Sequence, residues 1–334
     1  MNAYYADKLA SLRDIFASDA LILEQNCLHV EGRRYPIVDD VIILLDIEQY
    51  PPTLRRRLGV SSGLEAPAQG VFAEDIQFTF GDEWQTFPEI LPEHESEFRQ
   101  YFDLIDQESL GGSRVCDLGC GIGRWSYFLK DKCRELALVD FSEAIFVARR
   151  NLRDCPTALF FMGDLKRLPF CSGFADFLFS LGVLHHLPTD ALSEVRNLKK
   201  YAPSVLIYLY YSLDNRPAYF RWLLGLVTAV RLVVARIRAP AFRAAFTWLG
   251  ACFVYLPLVW AGRLLEPVGL ARHVPLYEGY KGKTLGRIRQ DVYDRFFTRI
   301  EQRFSRKQIA MLTDTFAEVT ISERWPYWHF LCKA

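Results

Sequence analysis

Asp117 and the glycines that follow at every second position, Gly119, Gly121 and Gly123, put a carboxylate beside a backbone that can turn tightly and approach a ligand closely. The stretch 114–124 reads R-V-C-D-L-G-C-G-I-G-R, a short apolar run into the glycines, and an amphipathic helical pattern begins at Trp125. Strand, glycine turn and helix in this order form a corner for a nucleotide, with the free N–H groups of the helix start facing the ligand. A dinucleotide fingerprint, G-x-G-x-x-G, would need glycine at position 124, where the chain has Arg124. Asp140 ends the apolar run E-L-A-L-V-D, 23 residues beyond Asp117, the length of one strand–helix–strand unit. An acid there can accept hydrogen bonds from both hydroxyls of a ribose. Phe141 beside it can lie on an adenine. His185 and His186 stand where a later apolar run opens into V-L-H-H-L-P. A neutral imidazole suits a general base at pH near 7.

The elements that must position these residues follow from periodicity. Residues 1–19 read as a helix, and 20–47 as strands with turns at Glu31-Gly32 and Asp39-Asp40. Residues 48–83, with Pro51, Pro52, Gly59, Gly63, Pro67 and Gly70, read as a connector. Phe98, Tyr101, Phe102 and Ile105 fall at helical spacing and predict a core-facing helix. A helix is expected over 143–153, a third strand in A-L-F-F-M-G-D ending at Asp164, and a fourth in F-A-D-F-L-F-S-L-G. A helix to Lys200 and a fifth strand, P-S-V-L-I-Y-L-Y-Y, complete the run. Ser305 is placed to cap a late helix, with F-A-E-V-T-I-S-E and W-H-F-L-C-K-A as the closing strands.

D-L-G-C-G-I-G resembles the first motif of class I S-adenosylmethionine-dependent methyltransferases, and four further segments match that family in order. The resemblance implies an α/β fold, a Rossmann-like seven-stranded and mostly parallel sheet, over 84–216 and 284–334. It implies S-adenosylmethionine as cofactor, bound by Asp117, Gly119, Cys120, Gly121, Gly123, Asp140, Phe141, Asp164, Leu165 and Leu181. In G-D-L-K-R-L-P-F, similar to the family's third segment, the Asp164 carboxylate would take the adenine amine and the next backbone N–H a ring nitrogen. The fourth motif, near Leu181, would lie beside the methionine end. Trp84 is a candidate lid over the cofactor. Y-P-I-x-D-x-V-x-x-L-L resembles the tail of a small zinc-ribbon-like domain that precedes some members. Only Cys27 lies nearby, so no metal site is carried over. The chemistry implied is in-line methyl transfer, in which the protein aligns a nucleophile and excludes water. His185 or His186 would serve as base for a hydroxyl or acidic carbon.

The remaining stretches define an expected organisation: 1–83 a β-rich front and connector, 84–216 the core, 217–283 an apolar helical insertion, and 284–334 the end of the core. The insertion is apolar with Arg221, Arg231, Arg236 and Arg238 interspersed, and it is uncharged from Ala244 to Gly262. Three readings fit it: a cap over the site that accepts an apolar substrate, a hairpin in a membrane interface through 217–266, or a membrane span. Tyr211, Tyr280, Tyr293 and Arg295 are candidates for a polyhydroxy or anionic substrate.

Net charge is zero over 334 residues, but residues 1–110 carry 8 basic and 21 acidic groups, and 211–334 carry 19 and 9. The acidic front offers no footprint for nucleic acid, and the basic rear suits an anionic surface. Eight scattered cysteines without a C-x-x-C pair, and no signal-peptide pattern at Met1, predict a cytoplasmic protein, peripheral to the inner face of the membrane if the insertion binds lipid. The expected acceptor is a small molecule, apolar or lipid-linked, O-methylated as a sugar, lipid-linked glycan or natural-product intermediate. C-methylation of a prenylated quinone-like ring and a non-catalytic partner subunit are the alternatives.

Overall fold

The computed structural model describes residues 3–60, 77, 81, 86–324 and 327–334. Contacts divide the chain into two compact units, one of Met1–Tyr210 with Gln302–Ala334 and one of Tyr211–Glu301.

The first unit is built on an eleven-stranded sheet. Its strands are β1 (Ile22–Glu24), β2 (Cys27–Val30), β3 (Arg33–Val38), β4 (Val41–Ile43), β5 (Arg114–Leu118), β6 (Glu135–Asp140), β7 (Ala158–Met162), β8 (Phe177–Leu181), β9 (Ser204–Tyr208), β10 (Glu318–Ile321) and β11 (His329–Lys333). The spatial order is β1-β2-β3-β4-β7-β6-β5-β8-β9-β11-β10. The expected seven strands form the stretch from β7 to β10. β7, β6, β5, β8 and β9 run parallel, and β11 is antiparallel to both neighbours. All five residues of β5, β7 and β8 are buried, as continuous apolar strands covered on both faces must be.

The front of the chain is not a separate zinc-ribbon-like module. Its strands extend the main sheet, because β4 pairs in parallel with β7, Ile42 opposite Phe161. The turns fall where the sequence places them. Glu31-Gly32 and Asp39-Asp40 all take positive φ, the geometry of tight hairpin turns. Tyr4 and Tyr5 fasten the front to β7, their hydroxyls donating to the carbonyls of Ala158 (2.7 Å) and Phe160 (3.2 Å). The connector contains a helix, Pro52–Leu58, started by a proline pair and ended by Gly59 in the left-handed region.

The helical pattern from Trp125 condenses to one tight turn, Ser126–Phe128. Trp125 is buried with its ring 5.3 Å from Tyr101, and the Ser126 hydroxyl bonds Asp117 at 2.7 Å. These contacts fix the turn and leave no register for a longer helix. Ser305 caps the helix Arg306–Ala310 through a reciprocal bond set with Gln308.

The second unit is helical. It comprises Ala218–Val234, then Pro240–Gly250, which continues through a π-turn, Ala251–Tyr255, into Leu256–Leu265, and later Leu285–Phe297. Pro257 has no N–H to give to the turn before it, and the π-turn absorbs the loss. Ala251, Tyr255 and Val259 pack on Ile288 and Val292 of Leu285–Phe297. That helix therefore belongs with the insertion, where the sequence reading had put 284–334 with the core. Gly262 lets the Tyr277 ring lie against the helix, since a Cβ there would stand 2.1 Å from the ring. Two insertion arginines point inward: Arg231 to the Thr298 carbonyl (3.3 Å) and Glu301 (3.6 Å), Arg243 to the Tyr293 hydroxyl (2.5 Å).

Candidate functional site

The carboxyl ends of adjacent parallel strands collect the three predicted carboxylates on one edge of the sheet. Asp117 lies on β5, Asp140 ends β6 beside it, and Asp164 follows the end of β7 by two residues. Ligands of open α/β sheets bind at this edge.

The glycine corner is held from below. The amides of Gly119 and Cys120 both donate to the Val139 carbonyl (2.8 and 3.0 Å), and Gly123 donates to Cys120 (2.8 Å). The Gly121 amide donates to Asp140 Oδ2 (2.8 Å), so the corner and the second carboxylate are one assembly. Asp140 Oδ1 also accepts from the Ser142 amide (2.8 Å) and hydroxyl (2.7 Å). These four amides of the glycine corner are thus engaged within the protein. Asp117, Asp140 and Asp164 bring three carboxylates to the same edge.

Asp117 is 1% exposed and, among the described residues, receives one hydrogen bond, from Ser126. Burial pushes its carboxyl up to about 8, the Ser126 bond opposes this, and the nearby Asp140 adds to it. Asp140 is raised too, by burial first, against the hydrogen bonds it accepts from Ser142, Gly121 and Phe141. Such a site suits a ligand rich in donors and positive charge.

The third carboxylate has partners the sequence did not announce. Asp164 Oδ2 accepts from Gln49 Nε2 (3.1 Å), and Oδ1 accepts from the Lys166 amide (3.0 Å). Gln77 Nε2 donates to the carbonyls of Gln49 (3.2 Å) and Phe141 (2.9 Å). Phe141 and Leu165 are half-buried at this end of the edge, while Cys120 and Leu181 are buried. The front of the chain therefore furnishes one wall of the expected adenine end. Trp84 lies outside the described residues.

Beyond β8 the same edge becomes aromatic. Leu181 is level with Tyr208, and Tyr208 with His329. His185 is fully buried and stacks on Tyr210, with ring centroids 3.9 Å apart. Neither of its ring nitrogens has a hydrogen-bond partner among the described residues. Burial, then the neighbouring His186 and Arg303, hold its imidazole well below the usual range, so it is neutral. His186, also buried, lies 4.1 Å from it, ring to ring. The carbonyl of His185 accepts from the Gln302 amide (2.9 Å), and the Gln302 side chain ties down Leu187 and Thr189.

Sequence reasoning missed a third histidine. His329 Nε2 meets Asp103 Oδ1 at 2.7 Å, and Ser322 donates to Asp103 Oδ2 (2.8 Å). Burial lowers the His329 pKa, and Asp103 only partly offsets it. Tyr101, Tyr208 and Tyr327 surround this pair within 6.0 Å or less of each other and of its ring, apart from the Tyr208–His329 neighbours on paired strands. A histidine at the start of a final strand was the available signal.

The remaining candidates belong to the second unit. Tyr280 and Tyr293 are buried inside it. Arg295 reaches the Tyr280 hydroxyl at 3.5 Å, and Tyr293 is bonded to Arg243. Tyr211 begins that unit and is half-buried. Tyr280 and Tyr293 are thus part of the interior of the helical unit, with Arg295 half-buried beside Tyr280.

Residues 115–201 match the family model described as a methyltransferase domain. No curated protein matches the chain. Among solved structures it is similar to phosphoethanolamine N-methyltransferase 1 of Haemonchus contortus, at 18% identity over 41% of this chain and 32% of that one, with a TM-score of 0.37. It is also similar to magnesium protoporphyrin IX methyltransferase of Synechocystis, at 15% identity over 77% of this chain and 96% of that one, TM-score 0.44. An S-adenosylmethionine-dependent methyltransferase of Mesorhizobium loti gives 20% identity over 35% and 55%, TM-score 0.31. The chain thus spans about a third of the first of these proteins and about half of the last.

Proposed function

We propose that this chain, a member of the class I S-adenosylmethionine-dependent methyltransferases, transfers the methyl group to a hydroxyl oxygen of a small polyhydroxy acceptor, a sugar or lipid-linked glycan. The observation that carries the cofactor half of this reading is the row Asp117, Asp140, Asp164 on three adjacent strand ends. The Asp117 carboxylate suits the cationic amino-acid end of S-adenosylmethionine, Asp140 the ribose and Asp164 the adenine amine. The observation that supports the acceptor half is the aromatic and polar surface on the same edge, Tyr101, Tyr208, Tyr210 and the Asp103–His329 pair around His185. Faces of aromatic rings beside hydrogen-bonding groups suit a sugar better than a quinone-like ring.

S-adenosylmethionine supplies a methyl carbon already activated by its sulfonium. The chain's task is to align the acceptor and take its proton. His185, neutral and with both ring nitrogens unpartnered, is the base this reading assigns. His185 would accept the acceptor's proton at an unpartnered ring nitrogen while the bound cofactor would supply the methyl group.

Methyl-labelled S-adenosylmethionine, incubated with the protein and host extract split into glycan, lipid, small-molecule, protein and nucleic-acid fractions, tests this. Label in the glycan or glycolipid fraction, absent with Asp140→Ala, is the expected result. Label in the quinone fraction would overturn the acceptor. No label in any fraction, with cofactor bound, would favour a non-catalytic partner subunit.

The state of Asp117 gives a second test. Its pKa in the folded protein, about 8, lies above the ordinary carboxyl value. Its contribution to stability is therefore complete only below the ordinary carboxyl value of 3.8 and is lost as pH rises from there to about 8. The ligand's α-ammonium, which S-adenosylhomocysteine shares with S-adenosylmethionine, favours the ionised form, so binding at neutral pH should release a proton. Affinity for S-adenosylhomocysteine should rise from about pH 6 to about pH 8 and then level. Calorimetry in buffers of different ionisation enthalpy reads the proton directly, and a pH-independent affinity with no release would refute the assignment.

A further inference from the structure

Among the described residues, nineteen large apolar side chains are exposed, and sixteen of them belong to the unit Tyr211–Glu301. The excess centres on the helical run Pro240–Val268, 29 residues long, whose most apolar window is only 22% buried. A core helix of that composition would be largely covered. Here a narrow stripe, Thr247, Ala251, Tyr255 and Val259, faces the unit's interior, while Phe253, Trp260 and Leu264 stand 74%, 63% and 80% exposed. The helix Ala218–Val234 adds Trp222 at 73%.

The charges around this surface are mostly of one sign, the exception being Glu266 at the end of the run, which pairs with Lys281 and accepts from Tyr277. From Arg216 to Leu265 the chain has seven arginines and no acid. Arg231 and Arg243 turn inward, and Arg221, Arg236, Arg238 and Arg263 are exposed. Exposed tryptophans and phenylalanine among exposed arginines complement the headgroup region of an anionic bilayer, where the rings meet the acyl boundary and the guanidiniums meet phosphates.

Length and composition alone would equally allow the run to cross a membrane. Its packing opposes that. The helix Leu285–Phe297 lies against it and carries Arg287, Arg289, Asp291, Asp294 and Arg295, with Arg289 stacked 4.1 Å over Trp248. A crossing run would carry these charges into hydrocarbon. A run lying in the interface keeps them on its watery side.

We propose that the unit Tyr211–Glu301 docks on an anionic phospholipid bilayer through the outward face of 240–268, lying in the interface and not crossing it. This surface is independent of the acceptor proposed above.

The test is flotation of the full chain with vesicles of phosphatidylcholine alone and of phosphatidylcholine mixed with an equal amount of phosphatidylglycerol. Binding to the mixed vesicles, weakened at high salt, is expected, with little binding to the neutral ones. The double variant F253E and W260E should lose at least about tenfold in binding. Replacing Arg221, Arg236, Arg238 and Arg263 by glutamine should also cost at least about tenfold, on mixed vesicles only. Unchanged S-adenosylhomocysteine affinity in both variants would show that they fold. Quenching of the unaltered protein's tryptophans by bromine-labelled lipid gives a readout that needs no variant. Absence of both flotation and quenching would overturn the proposal. So would resistance of bound protein to alkaline extraction, which marks a span, or a dimer in sedimentation that the F253E and W260E changes dissolve, which would make a second copy the occupant.

Discussion

Asp140→Ala is expected to weaken S-adenosylmethionine binding by about 1–3 kcal/mol, roughly fivefold to 150-fold. The substitution removes the carboxylate assigned to the ribose hydroxyls. It also frees the Gly121 amide, which donates to Oδ2 at 2.8 Å, and the Ser142 amide and hydroxyl, which share Oδ1. The glycine corner then loses one of its ties to the end of β6 and keeps the two bonds to the Val139 carbonyl, so part of the loss is positional. Asp140→Asn separates the two: one amide oxygen can still accept from Gly121 or Ser142, but the charge is gone. Calorimetry with S-adenosylhomocysteine should rank the native chain above Asp140→Asn and that above Asp140→Ala, with thermal unfolding showing that each variant is folded. Equal affinities would refute the ribose assignment.

Gly119→Ala should destabilise the first unit by about 2–4 kcal/mol, the sum of a backbone and a packing cost. Gly119 has φ of +82°, a region that L side chains rarely adopt, and a Cβ there would stand 2.5 Å from Val183 Cγ2 and 2.6 Å from Cγ1. Val183 leads into the turn that carries His185, so the two halves of the site meet at this contact. Adding Val183→Ala to Gly119→Ala should recover the packing share and leave the backbone share. Denaturant midpoints of the four chains of this cycle measure both. A Gly119→Ala protein as stable as the native one would mean that the corner is not the rigid element described.

The central strands and their aspartates were legible because each strand carries an apolar run with an aspartate at or near its carboxyl end. That pattern is local, and Asp117, Asp140 and Asp164 fell where it put them. The partners of those aspartates were less legible. The D-I-E-Q run of residues 46–49 is a readable helix-start signal, and Gln49 does close a reciprocal bond set with Asp46. Its amide nitrogen reaches Asp164, 115 residues away, and no local pattern encodes that. The Asp103–His329 pair, 226 residues apart, escaped for the same reason. The pattern after Gly123 promised a helix, but tertiary contacts of Trp125 and Ser126 overrode it with a single turn. In the insertion the apolar period was plain, while the assignment of 285–297 to that unit depends on side chains packing across it.

The parallel pairing of β4 with β7 sets an order of events during synthesis. Ile42 finds its place beside Phe161, so 119 further residues must be made before β4 has its partner. At about 5–20 residues per second that is a wait of roughly 6–24 seconds. During it the five-residue run V-I-I-L-L at 41–45 is a strand with one bare edge, the kind of segment that pairs with other copies of itself. Asp39 and Asp40 stand directly before it and Asp46 directly after. Their charges guard the strand against self-association while it waits. In the finished protein all three have moved on to other duties, Asp40 pairing with Arg149 at 3.0 Å, Asp39 with Arg57 at 2.6 Å and Asp46 with Arg167 at 3.5 Å.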